Sequence, residues 1–153
     1  MLRTFLTLVL ALSAFLTTYA QQAIRLPMTY GNSMVLQRNR PILLQASAQP
    51  RTTITAILQA ENGKSYKARA RTDAEGRWKA KLPALPAGGP YTLTFRTEGE
   101  ERMLKDVWVG EVWLCSGQSN MELTLGIIAT ARRDLAAADT LSRLHLLHMP
   151  SPW

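Results

Sequence analysis

Between residues 26 and 109 apolar and polar positions alternate in short runs, the two-residue period of strands with one face buried and one in water. The period is clearest in Thr53-Ile54-Thr55-Ala56-Ile57-Leu58 and in Tyr91-Thr92-Leu93-Thr94-Phe95. The same grammar predicts strands over residues 34–36, 42–46, 52–58, 65–71, 77–82, 91–96 and 102–109. Turn-forming residues separate them: Asn39-Arg40-Pro41, Gln49-Pro50, Glu61-Asn62-Gly63, Asp73 to Gly76, and Pro86-Ala87-Gly88-Gly89-Pro90. Asn62-Gly63 predicts a type I′ hairpin, whose two central residues both need positive φ. Strands of this number and spacing predict a small antiparallel β-sandwich over residues 21–106.

The pattern changes near Asp106. Residues 107–115 read as a strand ending in an apolar run, with Cys115 beside Val112, Trp113 and Leu114 as an inert core thiol. Ser116-Gly117-Gln118-Ser119-Asn120 comes next as a small polar turn. A helix is then predicted from about Ile127 to Asp139, with Ile128, Ala131, Leu135 and Ala138 on one face and Arg132, Arg133, Asp134 and Asp139 on the other. A second strand should begin near Arg143, through Leu144, Leu146 and Leu147. Strand, helix and strand in that order make a βαβ unit, which requires a parallel sheet. The expected fold is thus an all-β sandwich followed, over residues 107–153, by the first βαβ of an incomplete α/β domain.

The first twenty residues are excluded from this fold. Arg3 precedes an apolar stretch from Phe5 to Leu16, and Thr18-Tyr19-Ala20 supplies the small residues of a signal-peptidase site. About twelve apolar residues fall short of the roughly twenty that span a bilayer, so a cleaved leader is expected, with no membrane attachment afterwards and a secreted or periplasmic destination. Cleavage after Ala20 would remove only Arg3 from the 18 basic residues, which then face 11 acidic ones. Lys64, Lys67, Arg69, Arg71, Arg77, Lys79 and Lys81 alternate along strands and read as a solvated sheet face rather than an anion site. No basic cluster of the nucleic-acid-binding type is present. One cysteine permits no intrachain disulfide, and His145 and His148 lack zinc-ligand spacing, so no metal is expected.

Ser119 is the residue with candidate chemistry. A serine in a glycine-containing turn between a strand and a helix is where α/β hydrolases expose a nucleophile, with backbone N–H groups facing the developing oxyanion. Gly117 permits close approach of a carbonyl, although Met121 stands where a Gly-x-Ser-x-Gly elbow has its second glycine. Alone, Gly-x-Ser is equally the pattern of a helix cap.

The wider segment is more specific. Trp108-Val109-Gly110-Glu111-Val112-Trp113-Leu114-Cys115-Ser116-Gly117-Gln118-Ser119-Asn120-Met121-Glu122 resembles the signature of the sialate O-acetylesterases, members of the SGNH-type hydrolases. Asn32-Ser33-Met34-Val35-Leu36-Gln37-Arg38 resembles that family's opening strand and Asp73 to Trp78 its sandwich hairpin. Ala136-Ala137-Ala138-Asp139 and Leu141-Ser142-Arg143-Leu144 resemble the helix and strand after the nucleophile.

The resemblance implies an SGNH/flavodoxin-like hydrolase domain in which Ser119 attacks an acetyl ester without metal or cofactor. Gly117 and the Ser119 backbone would form part of the oxyanion turn, with Gln118 and Asn120 supporting the motif. It also implies a general-base histidine and its aspartate in a late Asp-x-x-His motif, which this chain does not contain. Ser142 stands three residues before His145, and His145 three before His148, so both histidines are assigned structural roles. The chain therefore reads as the amino-terminal part of such an enzyme, incomplete by itself, acting on an O-acetylated sugar. Trp78, Trp108 and Trp113 are read as core residues, and Glu111 and Glu122 are not read as a glycosidase pair. The alternatives are a non-catalytic carbohydrate-binding β-module and an acetylxylan-type esterase acting on acetylated plant polysaccharide.

Overall fold

The structure, a computed structural model, describes residues 24–117, 124–127, 129–138, 140–141 and 143–149. The expected leader lies outside them. Among these described residues seven strands form: β1 (Val35–Gln37), β2 (Pro41–Ser47), β3 (Thr53–Ala60), β4 (Ser65–Arg71), β5 (Arg77–Ala84), β6 (Gly88–Arg96) and β7 (Glu101–Gly110). They pair into a five-stranded sheet of order β1-β7-β6-β3-β4 and a two-stranded sheet of β2 and β5.

The period-2 pattern places one apolar set per strand on a shared core. β3 contributes Ile54, Ala56 and Leu58, β6 Leu93 and Phe95, and β7 Val107 and Val109. The smaller sheet adds Ile42, Leu44 and Ala46 from β2, and Trp78 and Leu82 from β5. Each large apolar side chain so removed from water contributes on the order of 1.5–3 kcal/mol. Trp78 is the only aromatic among them that carries a polar atom, and both its needs are met. Its Nε1 donates to the carbonyls of Ile54 and Ala70, each at 3.1 Å, while its ring meets Phe95 edge-on at 5.9 Å. One side chain thereby ties β5 to β3 and β4 of the larger sheet.

The turn between β4 and β5 shows why its residues are there. Asp73 Oδ1 accepts from the N–H groups of Glu75 and Arg77, and Gly76 takes a φ of 77°. A Cβ on Gly76 would stand 2.3 Å from the Ala48 carbonyl oxygen, so glycine is required by both conformation and space.

Three expectations change. β1 pairs with β7 in parallel, Val35 opposite Trp108 and Gln37 opposite Gly110, so the large sheet is mixed rather than antiparallel. The reason is that β1 enters at the edge of a sheet whose neighbouring strand arrives last in the chain. The β3–β4 hairpin is not type I′: Gly63 has a φ of 85°, whereas Asn62 is not in the positive region. Gly63 N–H donates to the Ala60 carbonyl and Ala60 N–H to the Lys64 carbonyl, the arrangement of a three-residue loop closing on a left-handed glycine. Finally, Gly88, Gly89 and Pro90 belong to β6 instead of to the turn before it.

After β7 the expected βαβ unit is not formed among the described residues. Residues 111–117 and 144–149 carry no strand, and the helix is shorter than expected, Ala131–Ala138 (α1), preceded by a 3-10 turn at Leu125–Ile127. A parallel pair needs cover on both faces, and α1 buries no residue.

Replacing Trp78 with Phe keeps the buried ring but leaves the Ile54 and Ala70 carbonyls without their indole donor. Urea unfolding of the variant should show a loss of about 1–3 kcal/mol. An unchanged midpoint would mean that the N–H bridge does not hold the sheets together.

Candidate active site

The segment leading to Ser119 leaves the larger sheet at the end of β7, and its departure is secured from β1 and its flanking residues. Main-chain bonds run from Ser33 N–H to the Lys105 carbonyl, from Trp108 N–H to the Met34 carbonyl and from Arg38 N–H to the Gly110 carbonyl. Side chains extend the pairing in both directions. Asn32 Oδ1 accepts from Lys105 N–H at 2.8 Å, and Gln37 Oε1 accepts from Val112 N–H at 3.0 Å. Gln37 Nε2 and Arg38 Nε both donate to Glu111, at 3.0 and 2.6 Å. Those donors, Gln37 first, hold the Glu111 carboxyl below its usual pKa.

A bulge in β7 makes the second anchor. Register with β6 passes from Leu93 opposite Leu104 to Tyr91 opposite Val107, so β7 carries an extra residue there. Asp106 absorbs it with a φ of 55°, in the left-handed region that aspartate tolerates better than most residues. Its carboxylate accepts from Ser33 Oγ at 2.6 Å and from Trp108 Nε1 at 2.7 Å. The Ser33 bond, then that of Trp108, lowers its pKa from the ordinary value, with a smaller contribution from His145. The Trp108 ring is confined on one side by Gly89, where a Cβ would stand 2.8 Å from it. Arg143 lies 5.8 Å from the ring centroid and His145 6.3 Å.

Of the sequence-predicted site residues, Gly117 is described and exposed. Gln118, Ser119 and Asn120 lie outside the described residues, so the geometry of the nucleophile turn is not part of the observed site. Among the described residues the segments before and after Ser119 do not pair as strands, although Arg143 and His145 reach the end of β7 through Trp108. Trp78 is a core residue, as expected, whereas Trp113 is 84% exposed and Trp108 is half-buried. Cys115 is exposed, contrary to its reading as a core thiol, and so are Val112 and Leu114. By its composition this apolar run should be a buried strand, but the ladder stops at Gly110 and nothing among the described residues covers positions 111–117. His145 and His148, expected in or beside the second strand, lie in non-strand chain, His145 half-buried against Trp108 and His148 exposed. Among the described residues no three His, Cys, Asp or Glu side chains gather as a metal site.

Sequence reasoning does not single out the positioning residues Ser33, Gln37, Arg38 and Asp106 individually. Their signal is present all the same. The two stretches carrying most of the family resemblance, residues 32–38 and the segment from 108, are hydrogen-bonded neighbours in space.

No family model matches the chain. It is 32% identical over 111 residues to a sialate O-acetylesterase of Mus musculus, covering 69% of this chain and 20% of that protein. It is 30% identical over 122 residues to a sialate O-acetylesterase of Homo sapiens, covering 76% of this chain and 23% of that one. Among solved structures, a carbohydrate acetylesterase from Xanthomonas citri matches with a TM-score of 0.68 and 38% identity, over 76% of this chain and 26% of that one. The chain thus spans 20–23% of the length of these curated relatives.

Asp106→Asn removes the charge while keeping a residue that accepts a left-handed φ. Because the folded pKa of Asp106 is lowered, its contribution is full above the ordinary carboxylate value and is lost as pH falls through the folded one. The variant should therefore melt below the parent at pH 7, with the gap closing below about pH 4. A gap that stays constant between pH 7 and pH 3 would assign the effect to something other than this charge.

Proposed function

We propose that this chain, which belongs to the sialate O-acetylesterase family, presents the nucleophile segment of a serine esterase that removes O-acetyl groups from sialic acid or a related sugar. The observation carrying this reading is the clamp of residues 32–38 on 105–112, which launches the chain toward Gly117 and the serine two positions later. A nucleophile must be held to within a fraction of an ångström, and a strand fixed by hydrogen bonds on its partner's backbone and side chains is a suitable base for one.

In this reading Ser119 Oγ attacks the acetyl carbonyl carbon and gives up its proton to a histidine base. The tetrahedral oxyanion takes hydrogen bonds from the turn's backbone N–H groups, those of Gly117 and Ser119 included. Collapse releases the sugar hydroxyl, which regains the proton, and leaves an acetyl-enzyme. Water then attacks the acyl carbon, returning Ser119 and releasing acetate. In this reading the base and its orienting acid belong to an Asp-x-x-His motif, a pattern that no stretch of these 153 residues carries. The leader directs the protein to a secreted or periplasmic compartment, where acetylated glycans are accessible.

In a polypeptide that carries this chain together with the rest of a relative-length esterase, Ser119→Ala should lower kcat on 4-methylumbelliferyl acetate by at least about a thousandfold. A serine-directed fluorophosphonate should label Ser119 in the parent only. Retention of turnover in the variant would remove Ser119 from the mechanism.

A further inference from the structure

The clamp on β7 holds the stretch that carries Ser119 at one end, and a second hold stands at its other end. The chain leaves the ladder at Gly110 and comes back to the same strand at Arg143 and His145, both of which lie against Trp108. One indole ring thus receives both ends of residues 111–142. Among the described residues from 140 to 149, His145 alone is half-buried, whereas Leu144, Leu146 and Leu147 are more apolar yet exposed. General apolar collapse would have buried the leucines first. The contact that forms instead belongs to the guanidinium and the imidazole.

The ring is fixed before they arrive. Trp108 N–H donates to the Met34 carbonyl at 2.9 Å, and Nε1 donates to Asp106 Oδ1 at 2.7 Å, which sets the rotation of the indole. Asp106 is held in turn by Ser33, so the ring takes its position from the same residues that clamp β7. On another side the Gly89 backbone lies so near the six-membered ring that a Cβ there would stand 2.8 Å from Cε3. An indole whose N–H donates to a carboxylate is enriched in electron density, and its π face holds a cation more firmly. The Arg143 guanidinium carbon stands 5.8 Å from the ring centroid, within cation–π range. The His145 ring is tilted at 45° with its centroid 6.3 Å away, an ordinary spacing for an aromatic pair.

We propose that Trp108 is the return dock of the nucleophile segment, with Arg143 and His145 as positioning residues that close residues 111–142 into a loop fixed at both ends. A chain tethered at one end samples many positions, and a second tether removes much of that freedom before substrate arrives. Neither residue touches the reacting atoms; both act through Trp108 on where the serine can stand. The inference rests on the esterase reading for the importance of Ser119, but the dock itself is a matter of the contacts around one ring.

Cys115, the single cysteine of the chain, is exposed within this segment and takes a nitroxide label without further substitution. In the intact chain an Arg143→Gln/His145→Gln double variant should shorten the label's rotational correlation time at least about twofold, with Tm within about 2 °C of the parent. Arg143→Lys, which keeps a cation over the ring, should fall between the parent and Arg143→Gln. Arg132→Gln, on the exposed face of α1, should leave the label as in the parent. An unchanged label in the double variant, or an equal change in Arg132→Gln, would overturn the dock. In a relative-length esterase carrying this chain, the double variant should lower kcat on 4-methylumbelliferyl acetate at least about tenfold while KM stays within about twofold. An unchanged kcat beside a more mobile label would overturn the positioning role. The label reads the dock without turnover and Ser119→Ala reads the nucleophile, so failure of one is distinguishable from failure of the other.

Discussion

A three-residue parallel ladder, β1 against the end of β7, is the constraint on which the candidate site depends. It is short, and three backbone pairings would hold little by themselves. The side chains at its two ends make up the difference. Asn32 and Ser33 grip the bulge at Lys105 and Asp106, while Gln37 and Arg38 grip Glu111 and the backbone of Val112. The chain therefore leaves the larger sheet along a direction set by neutral and charge-assisted side-chain hydrogen bonds, not by backbone pairing alone.

Behind this ladder stands a core that closes on Trp78. The indole reaches across from the small sheet and satisfies two carbonyls of the large one, so the layers are joined by a bond as well as by apolar contact. The same strand that buries Trp78 turns Arg77, Lys79 and Lys81 outward. Period-2 geometry thus lets β5 serve stability on one face and carry positive charge in water on the other, where Arg77 is paired with Asp73 and Glu75.

Past Gly110 the balance reverses. Val112, Trp113, Leu114, Leu144, Leu146 and Leu147 are apolar yet exposed. A run of that composition fits burial between layers, and this explains why it reads as a strand with Cys115 in a core. The chemistry of such a segment depends on its cover. Hydrophobicity reports that a residue favours burial, whereas the ladder and cover that would bury it come from other parts of a fold.

The local grammar determined a great deal by itself. Between residues 26 and 109 it predicts seven strands, and seven form at those places, β4 with the same bounds, because alternation and turn residues act within a few positions of one another, whereas among the described residues the strands it predicts through 111–115 and from Arg143 do not form. Ser119 and its neighbours are likewise legible as a motif, since a signature is a matter of adjacent residues. The tertiary structure decided what depends on distance along the chain: the parallel pairing of residues 35–37 with 108–110, and the left-handed Asp106 with its partner Ser33. Those partners lie far apart in the chain, and no periodicity carries information about which strand will arrive beside which. Only the packing of one core, with a single register that buries every apolar face at once, selects them.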